Sequence, residues 1–370
     1  MKYQTAFAKR MNRRSVLAGA AGATIAIGLG AKGRQALAQD KKFAGKQIRV
    51  LTWADATGRA AVDNIMKPFE AATGARVITD LTGTTSEMVA KIKASANRPQ
   101  YDVVILSGVG AIGLANAGLL AKPDHAKIPN LERVLPQYKT GAGGFGVGYY
   151  LWSDGLVFNT RTYQTAPKSF QVLWDDKTRK IFVPPPADLG ATELTIVAAR
   201  LAGGDEKNPQ KGFDLLAKLK SRVLTISTNA NQLAELFRSD SIDAGGVYSP
   251  LQIADFIRQP EYNLSGTFDL QEGFFVDLQF MVMPKGAPGD ADVAHAFLNQ
   301  ALDPATQGKM AEAVWYGPIN QDAVLSETAK KSPYIASPAL IKEKAATIDW
   351  DYIATVRDDW TKRYTEALAN

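Results

Sequence analysis

Aromatic and acidic side chains occur together at the ends of several predicted strands. Trp53 and Asp55 follow one hydrophobic run, Tyr248 ends another, and Asp277 lies within a third. A carboxylate pairs with an ammonium group, and an aromatic face adds roughly 0.5 to 2 kcal/mol through its quadrupole. These residue types in this pattern predict a pocket for a cationic amine.

A second aromatic and acidic pair favours a structural interpretation. Trp152 is expected to pack at a crossing between two lobes, and Asp154 is typical of a turn over residues 153–155. The preceding Tyr149 and Tyr150 would suit a ferric ion as tyrosinates, although neighbours on a strand point to opposite faces. Ferric iron therefore stays a minor alternative.

The glycine pattern G-x-G-x-x-G occurs at residues 108–113, after a predicted strand and at the start of a predicted helix. This context is typical of dinucleotide sites, so an exported NAD(P)-dependent oxidoreductase is one alternative. Against it, the glycines follow the third strand, and no strand that carries an acidic residue comes after them. The other interpretation is a tight turn at Gly108, which lets a ligand approach the free N–H groups of a helix.

Catalytic and metal-binding patterns are otherwise scarce. The chain has two histidines and no cysteine, which excludes H-E-x-x-H zinc chemistry and a cysteine nucleophile, and no G-x-S-x-G elbow occurs. The sequence therefore predicts no reaction, no cofactor and no metal.

Residues 1–38 contain seven lysines and arginines and no acid, which leaves a net charge of −1 on the rest of a chain that totals +6. A basic start, an uncharged run over residues 15–31 and Ala36-Leu37-Ala38 together predict an export signal, removed before Gln39. The pair Arg13-Arg14 resembles a twin-arginine signal, and Met11 is a possible start. We predict a free periplasmic protein without disulfides and without affinity for nucleic acid.

The elements that position these residues begin with residues 46–108, which read as strand, helix, strand, helix, strand. This alternation predicts a parallel sheet, in which ligands bind beyond the carboxyl ends of the strands. Trp53, Asp55 and Ser107 would share that edge. The same alternation over residues 180–258 predicts a second α/β lobe, and hydrophobic runs near residues 149–159 and 274–283 are candidate crossings between the lobes.

The order of these elements resembles the periplasmic solute-binding proteins of ABC transporters, specifically the spermidine/putrescine-binding type. The resemblance covers nearly the whole mature chain. The segments that carry it are residues 48–53, 69–77, 101–107, 150–159, 294–320, 349–351 and Trp360.

This resemblance implies a two-lobed type II periplasmic-binding-protein fold, with each lobe a mostly parallel sheet flanked by helices. Residues 39–150 and 279–325 would form lobe 1, and residues 151–278 and 326–370 would form lobe 2. It implies a monomer that closes around a small solute by hinge motion and delivers it to a membrane permease.

The resemblance is less specific about the ligand. Trp53, Ser107, Tyr248 and residues 275–279 fall at matching positions, whereas Ala56 and Val109 stand where the family pattern has tyrosines. Asp188 or Glu193 would replace an acidic turn, and Gln279 could take the place of Asp277. The solute is expected to be a small polyamine-like amine, or an amino compound whose own anion binds at Gly108 or Thr192. The candidate ligand-binding residues are Trp53, Asp55, Ser107, Gly108, Glu193, Tyr248, Asp277 and Gln279.

Overall fold

The computed structural model describes residues 41–368, so the predicted leader, its twin-arginine motif and its cleavage site lie outside the described residues. Within residues 41–368 the strands are β1 (Gln47–Trp53), β2 (Arg76–Thr82), β3 (Val103–Ser107), β4 (Leu120–Ala121), β5 (Thr140–Gly141), β6 (Gly146–Asn159), β7 (Ile181–Val183), β8 (Val223–Ile226), β9 (Ala244–Tyr248), β10 (Leu264–Thr267) and β11 (Phe275–Pro284).

Helices follow or precede most of these strands. They are α1 (Ala56–Ala61), α2 (Lys67–Thr73), α3 (Thr85–Ala94), α4 (Gly108–Asn116), α5 (Leu189–Leu201), α6 (Gln210–Ala217), α7 (Ala230–Arg238), α8 (Ala254–Ile257), α9 (Ala291–Ala301), α10 (Pro304–Val314), α11 (Glu327–Lys330), α12 (Pro338–Lys344) and α13 (Trp350–Leu368). Between residues 41 and 368, no helix combines the length and the apolar composition needed to cross a membrane.

The predicted alternation over residues 46–108 is confirmed. β1 pairs in parallel with β2 and with β3. Gly74 ends α2 in the left-handed conformation, with φ of 75°. Thr84 caps the start of α3 in a reciprocal capping box with Glu87, and α4 begins directly after β3, at Gly108.

The strands form one continuous mixed sheet in the order β2, β1, β3, β11, β6, β9, β7, β8. β7 pairs in parallel with β8 and β9, which confirms a second α/β region. β11 and β6 are antiparallel to each other and lie in the middle of the sheet. Together these pairings give an α/β fold in which two parallel regions are joined by two long central strands.

Two large apolar cores lie on either side of this junction. Tyr149 of β6 and Met281 of β11 pack in the first core, whereas Leu156 and Phe275 of the same strands pack in the second. β6 and β11 therefore cross from one core to the other, as the sequence predicted. The segment after residue 325 contributes to both cores, and the boundaries of the two lobes stay a prediction.

The turn predicted over residues 153–155 is wrong, because β6 runs unbroken through it. Ser153 pairs with Val276 and Asp154 with Phe275 on β11. A Cβ on Gly155 would lie 2.4 Å from the Thr267 carbonyl oxygen, so this glycine permits close strand packing.

The glycines at residues 108–113 have separate structural roles. A Cβ on Gly110 would lie 2.4 Å from Thr85 Cγ2, so this glycine lets α3 and α4 pack closely, whereas a Cβ on Gly113 would meet no atom within 4 Å. We expect Gly113→Ala to raise the free energy of unfolding by about 0.5 to 1 kcal/mol, because alanine favours the helix interior. Urea denaturation measures this effect, and a loss of stability would contradict the open space described around Gly113.

Candidate functional site

A cavity of about 340 Å³ lies between the two cores. Its volume is at the lower end of the roughly 300 to 1,000 Å³ typical of small-molecule pockets. One wall consists of Trp53, Asp55, Thr57, Thr85, Ser107, Tyr150 and Tyr316, and the opposite wall of Asp188, Leu189, Gly190, Thr228, Val247, Tyr248 and Gln252. The crossing strands supply Trp152, Asp154, Asp277 and Gln279.

The carboxyl end of β1 brings Trp53 and Asp55 to the cavity, where the parallel sheet was expected to place them. Asp55 is the N-cap of α1: its Oδ1 accepts hydrogen bonds from the Thr57 amide at 2.9 Å and from the Gly58 amide at 3.1 Å. The Thr57 hydroxyl donates to the same oxygen. Asp55 therefore stabilises the helix start through Oδ1 and offers a ligand only its second oxygen.

Tyr150 and Tyr316 form an aromatic surface that was absent from the predicted site. Their rings stack with centroids 3.5 Å apart and planes 9° from parallel. Tyr316 lies in the segment that carried the family resemblance, but no local pattern connects it with Tyr150. Stacking of residues so distant in the chain is visible only in three dimensions.

The same region bears on the ferric-iron alternative. Burial raises the pKa of Tyr149 and of Tyr150 well above the ordinary value, which opposes tyrosinate formation. Tyr149 does not line the cavity. Among residues 41–368, no group of three or more histidine or acidic side chains is arranged to hold a metal ion.

Asp277 and Gln279 occupy alternate positions of β11 and therefore share a face. Gln279 Nε2 donates to Asp277 Oδ2 at 2.7 Å, and Gln279 pairs with Ser107 of β3. Burial raises the pKa of Asp277 to about 6, although the bond from Gln279 opposes this shift. The sequence left open which of the two residues would take the acid's place, and both line the cavity.

Trp152 and Asp154 repeat this arrangement on the neighbouring strand β6. Trp152 Nε1 donates to Asp154 Oδ1 at 3.1 Å. Burial raises the pKa of Asp154 to about 7, with repulsion from Asp277 and Asp188 acting in the same direction and the bond from Trp152 opposing it. Both residues belong to the cavity, which the turn interpretation missed. Residues two apart on a strand share a face, so a strand prediction for this segment would have placed Trp152 and Asp154 side by side.

The opposite wall forms where β9 meets the start of α5. Tyr248 is buried, and its hydroxyl donates to the Thr228 carbonyl at 3.0 Å. Asp188 is the N-cap of α5 and accepts a hydrogen bond from the Gly190 amide at 3.0 Å. Of the two acids that the sequence offered for this wall, Asp188 lines the cavity.

Two of the eight predicted site residues do not line the cavity. Glu193 is 1% exposed within α5. Gly108 lies behind Asp277: a Cβ at Gly108 would be 3.4 Å from Asp277 Oδ1. The other six, Trp53, Asp55, Ser107, Tyr248, Asp277 and Gln279, all lie in the cavity wall.

The charges in the wall are all of one sign. Four carboxylates, from Asp55, Asp154, Asp188 and Asp277, belong to the described lining, which includes no lysine, arginine or histidine. Such a cavity attracts cations and repels anions.

The chain matches a known protein family over most of its length. Residues 64–337 match the family described as bacterial extracellular solute-binding protein. The chain belongs to this family. It is 25% identical over 301 residues to the spermidine/putrescine-binding periplasmic protein 1 of Haemophilus influenzae. The aligned region covers 78% of this chain and 80% of the Haemophilus protein.

Two further proteins resemble the chain over most of its length. The gamma-aminobutyric acid-binding protein of Pseudomonas aeruginosa is 23% identical over 337 residues, covering 86% of this chain and 90% of its own. The crystal structure of an ABC transporter from Clostridium perfringens has a TM-score of 0.71 and 25% identity, covering 87% of this chain and 99% of that one.

These findings confirm the family resemblance and the two-lobed type II periplasmic-binding-protein fold. The chain is the substrate-binding component of an ABC transporter, which acts outside the cytoplasmic membrane and interacts with a membrane permease. Such proteins bind solutes and carry out no reaction. The oxidoreductase alternative based on residues 108–113 is therefore set aside.

Proposed function

We propose that the cavity binds a small polyamine-like solute, a compound with two or more ammonium groups, for import. The single observation that carries this proposal is the set of four carboxylates in a lining that includes no basic side chain among the described residues. Each ammonium group could replace its water shell with carboxylate oxygens and aromatic faces. The names of two relatives, one binding spermidine or putrescine and one binding gamma-aminobutyric acid, support an amine.

A solute that carries its own carboxylate fits this cavity less well. Anions bind at free helix N-termini, and α1, α3, α4 and α5 all begin at or beside residues of the cavity wall. Asp55 caps α1 and Asp188 caps α5. Glu87 accepts a hydrogen bond from the Thr84 amide at the start of α3, and Asp277 lies beside the first residue of α4. Because each helix start already faces a protein carboxylate, we propose a polyamine over an amino acid.

Binding is proposed to close the two lobes of a monomer. The two walls come from opposite sides of the sheet junction, so a ligand that touches both favours the closed state over an open one. β6 and β11 would carry the hinge, since they are the strands that cross between the cores.

Isothermal titration calorimetry with putrescine, spermidine and gamma-aminobutyric acid tests this function. We expect both polyamines to bind at least about tenfold more tightly than gamma-aminobutyric acid, a difference of about 1.4 kcal/mol. Tighter binding of the amino acid, or no binding of either polyamine, would contradict the proposal.

Trp152→Phe tests the electrostatic part of the site. Losing the indole N–H removes a bond that lowers the pKa of Asp154, so that pKa should rise above about 7. Because only the ionised carboxylate pairs with an amine, putrescine affinity should fall more at pH 6 than at pH 8.5. Titrations at both values measure the difference, and an equal loss at the two would show that Trp152 acts by contact alone.

A further inference from the structure

Glu193 is a buried acid that the proposed binding mode does not use. It lies in the first turns of α5, is 1% exposed, and its Oε2 has no hydrogen-bond partner among residues 41–368. Isolated ionised carboxylates are strongly disfavoured away from water, so such a group keeps its proton. Burial, together with repulsion from Asp154, Asp277 and Asp188, raises the pKa of Glu193 well above its ordinary value.

In the part of the chain that the structure describes, the elements packed around Glu193 provide no positive charge to pair with it. β6 and β11 contribute Asp154 and Asp277, both acids. β9 contributes Tyr248, whose hydroxyl donates its hydrogen bond to the Thr228 carbonyl. From α13, Tyr364 donates to the Pro184 carbonyl, and Arg357 donates to the Ala187 carbonyl instead of a carboxylate. α6 turns Phe213 and Leu216 inward and keeps its charged residues exposed.

Asp154 differs from Glu193 in having one fixed donor and access to the cavity. Trp152 holds its Oδ1, and the residue lines the cavity directly. An ammonium group beside Asp154 would stabilise the ionised form, whereas Glu193 has no contact with the cavity. A bound cation therefore favours ionisation of Asp154 and has no direct contact with Glu193.

We propose that an amine enters this cavity in exchange for a proton, which leaves Asp154 for the solvent, while Glu193 stays protonated and so adds no charge that would repel ionised Asp154. This exchange rests on the proposed binding of an amine. Ligand binding then depends on pH. The affinity for the amine is high at pH values above the pKa of Asp154 and falls as the pH drops below that pKa.

Calorimetric titration of the mature protein with putrescine, in buffers of different ionisation enthalpy, counts the protons released. At pH 6.5 we expect roughly half a proton or more per putrescine, because a group with a pKa of about 7 is mostly protonated there, and nearly none above about pH 8.5. Asp154→Asn should remove most of this release. Glu193→Gln, which replaces one neutral group by another, should keep both the proton count and the affinity within about twofold.

Unfolding of the empty protein tests Glu193 independently of any ligand. In the unfolded chain Glu193 ionises near pH 4.5, so its raised folded pKa contributes stability that is complete below that pH and lost as the pH rises. The stability of Glu193→Gln relative to the parent should therefore increase from pH 4.5 to pH 8 in urea denaturation.

Three results would overturn the exchange. They are identical heats in all buffers, a changed proton count in Glu193→Gln, and a stability difference that does not vary with pH. If no polyamine binds, the proposed function fails, and the unfolding measurement alone decides whether Glu193 holds a proton.

Discussion

Asp277→Asn is expected to weaken putrescine binding by roughly 30- to 150-fold, which corresponds to about 2 to 3 kcal/mol. The change keeps the shape of the side chain and removes its charge. Asparagine can still accept the bond from Gln279 Nε2, now 2.7 Å from Asp277 Oδ2, so β11 should keep its structure. The loss would therefore report the missing partner of an ammonium group.

The pH at which this effect is measured matters. Since burial raises the pKa of Asp277 to about 6, the parent protein offers a full charge only above that value. At pH 8 the variant should show its whole deficit, and at pH 5, about one unit below the pKa of Asp277, the deficit should be roughly tenfold smaller. This convergence at low pH is expected for a charge effect and not for a steric one.

Asp63→Asn is a matched control. Asp63 is exposed on the outer helix surface, where it pairs with Lys67, and it is not part of the cavity. Its substitution should leave putrescine affinity within about twofold, because exposed ion pairs contribute little and are screened by salt. Equal affinity of Asp277→Asn and the parent at pH 8 would remove Asp277 from the site.

The sequence predicted the elements that depend on local patterns. The alternation over residues 46–108 places Trp53, Asp55 and Ser107 at one edge because side-chain periodicity and turn residues determine each element within a few residues. Parallel pairing then follows from short crossover connections. Local sequence patterns were therefore sufficient to predict where these three residues lie.

The sequence failed where distant contacts decide the outcome. Ser153, Asp154 and Gly155 are ordinary turn residues, yet they form a strand because β11 pairs with the first two and β9 pairs with Gly155. Glu193 was assigned to the cavity through the family resemblance, as a substitute for an acidic turn. Because α5 is buried on every side over residues 190–199, periodicity could not show which face meets the ligand. Gly108 was placed in the site for its turn, whereas in the fold it lies behind Asp277 and does not line the cavity.

Gly58→Ala is expected to reduce the free energy of unfolding by about 3 kcal/mol or more. A Cβ at this position would lie 1.7 Å from the Trp53 carbonyl oxygen and 2.8 Å from the Trp53 carbonyl carbon. Neither backbone can move freely, because Trp53 is paired with Thr82 of β2, and the Gly58 amide is bonded to Asp55. The added methyl group must therefore separate α1 from the end of β1.

This separation should also impair the site, since Trp53 and Asp55 lie at the same junction. Putrescine affinity should fall together with stability, whereas Gly113→Ala, the same substitution in open space, should leave affinity unchanged and slightly stabilise the fold. Urea denaturation with an unchanged slope, followed by calorimetric titration of each variant, separates the two effects. If Gly58→Ala unfolds at the same urea concentration as the parent, then α1 does not pack against β1 as closely as described, and the position of Asp55 in the cavity wall fails with it.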